Sequence, residues 1–139
     1  MIFVDSCVLI DVFDSDAVWK NWSLNQLQHA LPQGLCINMV VYSEIAGSFA
    51  NKADLDAAVK LGCLDVKDIP TEAAYLASTA FARYRRNKGQ YRTVLPDFYI
   101  GAHAQTLSCP VLTRDTQRFA AYFPDLQLGR VRKVNGAIS

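Results

Sequence analysis

Four acidic side chains stand where a carboxylate has chemistry to offer: Asp5 in IFVDS, Glu44 in VVYSEIAG, Asp97 in LPDFYIGAHA and Asp115 in VLTRDTQRF. Judged singly, Asp97 and Asp115 fit helix caps and Asp5 fits a strand-end turn. Glu44 has no such role, because an acid in mid-helix among Val40, Val41, Ile45 and Phe49 caps nothing. Brought together, four carboxylates repel, and their pKa values rise unless cations sit between them. Hard divalent ions with oxygen ligands, Mg²⁺ or Mn²⁺, are the natural compensation. The chemistry that uses such a cluster is phosphodiester cleavage, in which the ion polarises the phosphate and acidifies a water that attacks in line. No side chain is an obvious covalent nucleophile.

The elements that must position these acids alternate. Met1–Asp5 reads as a buried strand, with Ser6 capping a helix over Cys7–Phe13. Asp14-Ser15-Asp16 breaks that helix and caps the next, from about Ala17 to Leu31, before the turn Pro32-Gln33-Gly34. A strand at Leu35–Asn38 leads into a helix over about Val40–Phe49, and another helix covers Ala53–Leu61 with Gly62 at its C′ position. Cys63–Ile69 is a third strand, and Pro70-Thr71-Glu72 opens a helix reaching about Arg86. Asn87–Thr93 is a basic loop or helix end. Pro96 and Asp97 open a helix to Leu107, whose Gly101, Ala102 and Ala104 allow a close neighbour. Pro110–Thr113 is a fourth strand, Gln117–Phe123 a short helix, Leu126–Leu128 a fifth strand and Val131–Val134 a weaker tail segment.

This alternation predicts a single α/β domain over residues 1–139, with a mainly parallel four- to five-stranded sheet between helical layers. Sites in such sheets form beyond the C-terminal strand ends, where Asp5 and Asp115 fall. The chain has 139 residues, 51% of them hydrophobic, and a net charge of +1. That balance hides a split: residues 1–72 carry 10 acidic and 4 basic side chains, and residues 73–139 carry 3 and 10. No apolar run is long enough to span a bilayer, and the N-terminal segment lacks a basic n-region, so neither membrane insertion nor a signal peptide is expected. Cys7, Cys36, Cys63 and Cys109 form no CxxC pair and each lies in an apolar run, which suits reduced, buried thiols in a cytosolic protein.

Four motifs, VDSCVLIDVF at 4–13, VVYSEIAG at 40–47, LPDFYIGAHA at 95–104 and VLTRDTQRF at 111–119, occur in the order of the PIN domain. The sequence resembles most closely the VapC ribonuclease toxins of prokaryotic toxin–antitoxin pairs. The resemblance implies a PIN-like fold and a metal-dependent endoribonuclease. Asp5, Glu44, Asp97 and Asp115 match the family's four acids, which bind one or two Mg²⁺ or Mn²⁺ ions. On this reading Asp5, Asp97 and Asp115 hold the principal ion, and Glu44 completes the pocket, orients the attacking water or helps bind a second ion. Ser6 and Thr113 match hydroxyl positions that steady the carboxylates or a metal-bound water. The family also implies an RNA substrate cut to leave 3′-hydroxyl and 5′-phosphate ends, a cognate antitoxin and a homodimer. A catalytically weak or inactive PIN module acting through RNA or protein partners is the alternative.

Two departures from the family stand out. Its frequent TND is Thr113-Arg114-Asp115 here, and a further acid three residues on is replaced by Arg118. One carboxylate fewer weakens the case for a second tightly held metal, and Arg114 and Arg118 are candidates to hold substrate phosphate. The run RYRRNKGQYR brings Arg83, Arg85, Arg86 and Arg92 together with Tyr84 and Tyr91. It reads as a border of the cleft that stacks bases and pairs phosphates, as a solvated helix end, or as a contact for an acidic partner. His29, His103, Trp19 and Trp22 read as structural or surface residues, and Asp11 as a neighbour of the site without a ligand role. A receiver domain needs an acid pair after its first strand, and a haloacid-dehalogenase-type phosphatase needs DxD there. Asp5-Ser6-Cys7 supplies neither, and no phosphate-binding glycine loop is present.

Overall fold

Five short strands are laid down between helices, and the computed structural model describes residues 1–90, 92 and 95–129. The strands are β1 (Ile2–Val4), β2 (Leu35–Asn38), β3 (Leu64–Lys67), β4 (Val111–Leu112) and β5 (Leu128–Gly129). They form one sheet in the order β3-β2-β1-β4-β5, and every pairing is parallel. The helices are α1 (Ser6–Phe13), α2 (Lys20–Ala30), α3 (Met39–Ile45), α4 (Lys52–Leu61), α5 (Thr71–Arg86), α6 (Pro96–Thr106) and α7 (Thr116–Tyr122). The expected α/β architecture with a parallel sheet is therefore present, with five strands among the described residues. The expected segment at Val131–Val134 lies outside the described residues, as do Tyr91 and Thr93 of the basic loop.

Burial follows the topology. Parallel strands covered on both faces are apolar throughout, and every residue of β1 and β2 is buried, whereas the edge strand β3 exposes Asp65 and Val66. Helix α6 is buried nearly all round, with Phe98, Ile100, Gly101, Ala102, His103 and Ala104 enclosed. Its small residues do admit a close neighbour: a β-carbon at Gly101 would run into the ring of Phe123. Phe98 lies at the centre of an aromatic group, stacked on Tyr122 at 4.4 Å and edge-on to Phe81.

Several boundaries differ from expectation, each for a local reason. Asp5, not Ser6, caps α1, its carboxylate accepting the Ser6 amide. The chain from Ala17 to Trp19 is a turn held by Asp16 Oδ2, which accepts the Val18 and Trp19 amides, so α2 begins at Lys20. The helix after β2 ends at Ile45 and tightens into a 3₁₀ turn at Ala46–Ser48. Gly62 keeps an ordinary φ of −78°, and Cys63 takes the left-handed conformation at φ 55°. That residue also corrects the expectation of four buried thiols: Cys36 and Cys109 are buried, Cys7 is partly so and Cys63 is exposed. Among the described residues no helix is long and apolar enough to cross a membrane.

Candidate active site

Asp5 enters the site from the central strand. Its amide donates to the Leu112 carbonyl, continuing the β1–β4 ladder, and the residue is 2% exposed. A carboxylate so enclosed needs donors. Oδ1 accepts the Ser6 amide at 2.8 Å, and Oδ2 accepts the Thr113 hydroxyl at 2.8 Å and the Cys7 thiol at 3.3 Å. Thr113 in turn accepts the Asp115 amide at 3.0 Å. Burial, with Asp5 beside it, pushes the Cys7 thiol up to about 12. Cys7 therefore stays protonated and serves as a donor, not a nucleophile.

Glu44 is presented by α3, which begins at Asn38 at the end of β2. The Asn38 side chain caps this helix by accepting the Val40 and Val41 amides. Its other end meets the buried His103 ring at 3.2 Å, tying the helix start to α6. His103 is thus a buried packing and hydrogen-bonding residue, edge-on to Phe3. Glu44 Oε1 accepts the Ser6 hydroxyl at 3.1 Å. Partial loss of water raises the Glu44 pKa, and Asp5 and Asp97 add to the rise.

Asp97 occupies the first turn of α6, where Pro96 fixes the backbone and the helix dipole favours an anion. Its side chain is 14% exposed. Burial pushes its pKa up to about 6, a rise opposed by Arg118 and reinforced by Asp5 and Asp115. Asp115 caps α7, its Oδ1 accepting the Arg118 amide at 3.3 Å. The Arg118 side chain then bridges two acids, with Nε 2.9 Å from Asp97 Oδ2 and Nη2 3.2 Å from Asp115 Oδ2.

A cavity of about 390 Å³ lies at this edge of the sheet, lined by Asp5, Ser6, Cys7, Glu44, Leu95, Pro96, Asp97, Arg118 and Tyr122. Three of the four expected acids line it. Asp115 is not among the lining residues and is joined to the cavity through Arg118 and Thr113. Tyr122 was not legible as a site residue. Its place on α7 and its stacking on Phe98 bring it there, and no local motif announces that.

The basic candidates separate. Arg118 lines the cavity. Arg114 faces elsewhere: its Nε and Nη2 grip Asp11 at 2.7 and 2.9 Å, and its guanidinium lies 5.0 Å from the Trp19 ring. Arg83 donates to the Tyr122 carbonyl at 2.6 Å and Arg85 to the Gly89 carbonyl at 2.9 Å. Arg86 and Arg92 are exposed, and none of these four lines the cavity.

The donor chemistry fits a hard divalent cation. It is all oxygen, gathered from three separate elements, and the pKa values of Asp97 and Glu44 are raised chiefly by burial, with the neighbouring acids adding to the rise. As the side chains stand, no three His, Cys, Asp or Glu residues among those described are grouped to hold an ion between them.

Parallel topology, acids at the C-terminal strand edge and the order of the motifs converge on one family. A family model for the PIN domain matches residues 2–123, and the chain belongs to that family. Its fold is that of the VapC toxins. VapBC2 from Rickettsia felis, in a complex with a promoter DNA fragment, superposes with a TM-score of 0.70 at 15% identity, covering 92% of this chain and 97% of that one. VapBC-1 from nontypeable Haemophilus influenzae gives 0.68 at 20% identity, covering 94% and 98%. Mycobacterium tuberculosis VapC20, a sarcin–ricin-loop-cleaving toxin, gives 0.63 at 16% identity, covering 88% and 95%. No curated protein matches the chain in sequence.

Proposed function

We propose that the protein is a metal-dependent endoribonuclease of the VapC kind. The observation that carries this reading is that Asp5, Glu44 and Asp97, from three distant parts of the chain, line one cavity beside the Arg118–Asp115 pair. Asp5, Asp97 and Asp115 would hold Mg²⁺ or Mn²⁺, directly or through water, with Glu44 completing the pocket. When bound, such an ion supplies Lewis acidity toward a scissile phosphate and its attacking water. The chain's own residues prepare the site. Thr113 and the Ser6 amide lock the Asp5 carboxylate, Ser6 steers Glu44, and the protonated Cys7 keeps a competing thiolate out.

Single-stranded or looped RNA is the proposed substrate, with the exposed Arg86 and Arg92 as candidate phosphate contacts outside the cavity. A cognate antitoxin and a homodimer belong to the same reading. The toxin–antitoxin complexes among the structural relatives support the former. So does an apolar groove of about 350 Å³ that includes Leu24, Leu27, Leu31, Leu61 and Leu64, with Leu61 87% exposed. An amphipathic antitoxin segment fits such a surface.

The deciding experiment incubates the purified chain with structured RNAs and Mg²⁺ or Mn²⁺, with and without chelator, beside Asp5→Ala and Asp97→Ala. Metal-dependent cleavage lost in both variants is expected. Cleavage that survives both substitutions would sink the assignment. RNA or protein binding without any cleavage would favour the second reading, a non-catalytic PIN module, which the existing neutralisation of Asp97 and Asp115 by Arg118 lends some support.

A further inference from the structure

We propose that Arg118 is an internal counter-cation of the acidic pocket, and that a divalent ion must displace it to engage Asp97. The inference rests on the reading of this cavity as a metal site and concerns what occupies its charge beforehand.

Arg118 is built to hold both acids at once. Its position in the first turn of α7 lets its amide take Asp115 Oδ1 while its own side chain takes Oδ2 of the same residue. The guanidinium fork offers several diverging N–H groups, so the Nε edge remains for Asp97 Oδ2 at 2.9 Å. One residue thereby joins the starts of α6 and α7. The Asp97 side chain is 14% exposed and that of Arg118 42%, so this pair is screened less than a surface ion pair.

The same arrangement explains why oxygen donors that line one cavity are not grouped around a common point. Asp97 and Asp115 each turn one oxygen to the guanidinium. A tethered cation at this place satisfies part of the negative charge and competes with any mobile cation for the same oxygen. Removing it should therefore tighten metal binding. A residue that merely braced the site would act in the opposite direction, because its loss would loosen the ligands.

The test titrates the intact chain, stripped with chelator, with Mn²⁺ by calorimetry, and records its melting temperature in chelator and in Mn²⁺. Arg118→Ala is expected to bind Mn²⁺ about tenfold tighter than the parent, within the usual range of coupling between two binding events. It should melt lower than the parent in chelator and gain more from Mn²⁺. Arg118→Lys keeps the charge and should bind close to the parent. Arg118→Met, which keeps the apolar stem, replaces the alanine variant if that one does not fold. Unchanged or weaker Mn²⁺ binding in the neutral variants, with the parent binding normally, overturns the counter-cation role alone. A folded parent and folded variants that all fail to bind Mn²⁺ overturn the metal reading of the pocket, and this inference with it.

Discussion

The hydroxyl of Thr113 reaches Asp5 Oδ2 at 2.8 Å across 108 residues of sequence. That single bond joins the ends of the two strands that form the middle of the site, and the Thr113 hydroxyl oxygen also accepts the Asp115 amide. Thr113→Val keeps the shape and deletes both contacts, leaving a buried carboxylate and a backbone amide short of partners. A loss of about 1–3 kcal/mol in urea unfolding is expected, with Thr113→Ser retaining most of the parent's stability. RNA cleavage should fall in the valine variant even where it is fully folded.

Asp97 supplies a pH signature. Its ordinary value of 3.8 is pushed up to about 6 in the folded chain. The folded state therefore holds this proton more tightly than the unfolded state. Its contribution favours folding most at low pH and declines as pH rises from about 4 to 6, above which the full cost of the buried charge persists. Asp97→Asn should flatten that part of the pH–stability curve, measured by thermal melting in chelator. It should melt no lower than the parent at neutral pH. A parent curve with the same slope as the asparagine variant between pH 4 and 6 would contradict the assignment.

Arg114 predicts a stability effect without a pocket effect. Asp11 is buried at 2% exposure and depends on Ser23 at 2.6 Å and on the two-pronged grip of Arg114. Arg114→Ala strands that carboxylate, and the expected cost is about 3 kcal/mol. Under conditions where the variant remains folded, its affinity for Mn²⁺ should match the parent's. A clear change in metal affinity would show that Arg114 acts in the cavity after all.

Gly101 sets the distance between α6 and the chain end of α7. Gly101→Ala drives a methyl group into the buried Phe123 ring. Overpacking at such a position costs about 1–3 kcal/mol, read by chemical denaturation. The same variant made with Phe123→Leu should recover part of the loss, because the obstacle is the ring.

Much of this was legible because the fold and the acids share one signal. Short apolar runs ending in Asp5 and in Thr113-Arg114-Asp115, separated by helical stretches, place carboxylates at the same edge of a parallel sheet. Glu44 stood out for having no capping role. The missed features are those that depend on partners distant in sequence. Asn38 gave no sign that it would cap α3 and meet His103. Arg114 reads as a phosphate ligand until Asp11 and Trp19 are seen around it. Arg118 was legible as a departure from the family's acids, but its bridge between Asp97 and Asp115 follows from how α6 and α7 meet. Small shifts at helix starts came from the side chains themselves: Asp5 takes the cap assigned to Ser6, and Asp16 caps as expected but holds a turn at 17–19, so the helix starts at Lys20.

The central position of β1 has a consequence for how the molecule comes into being. Ile2–Val4 is made before every other element of this sheet, yet one of its two neighbours is Val111–Leu112, more than 100 residues later in the sequence. Until that late strand arrives, the Asp5 amide lacks the Leu112 carbonyl and its carboxylate lacks the Thr113 hydroxyl. Such long-range parallel pairing is slow to form. The nascent chain therefore carries Asp5 without these partners until β4 has been made, and the pocket closes only after that strand joins the sheet.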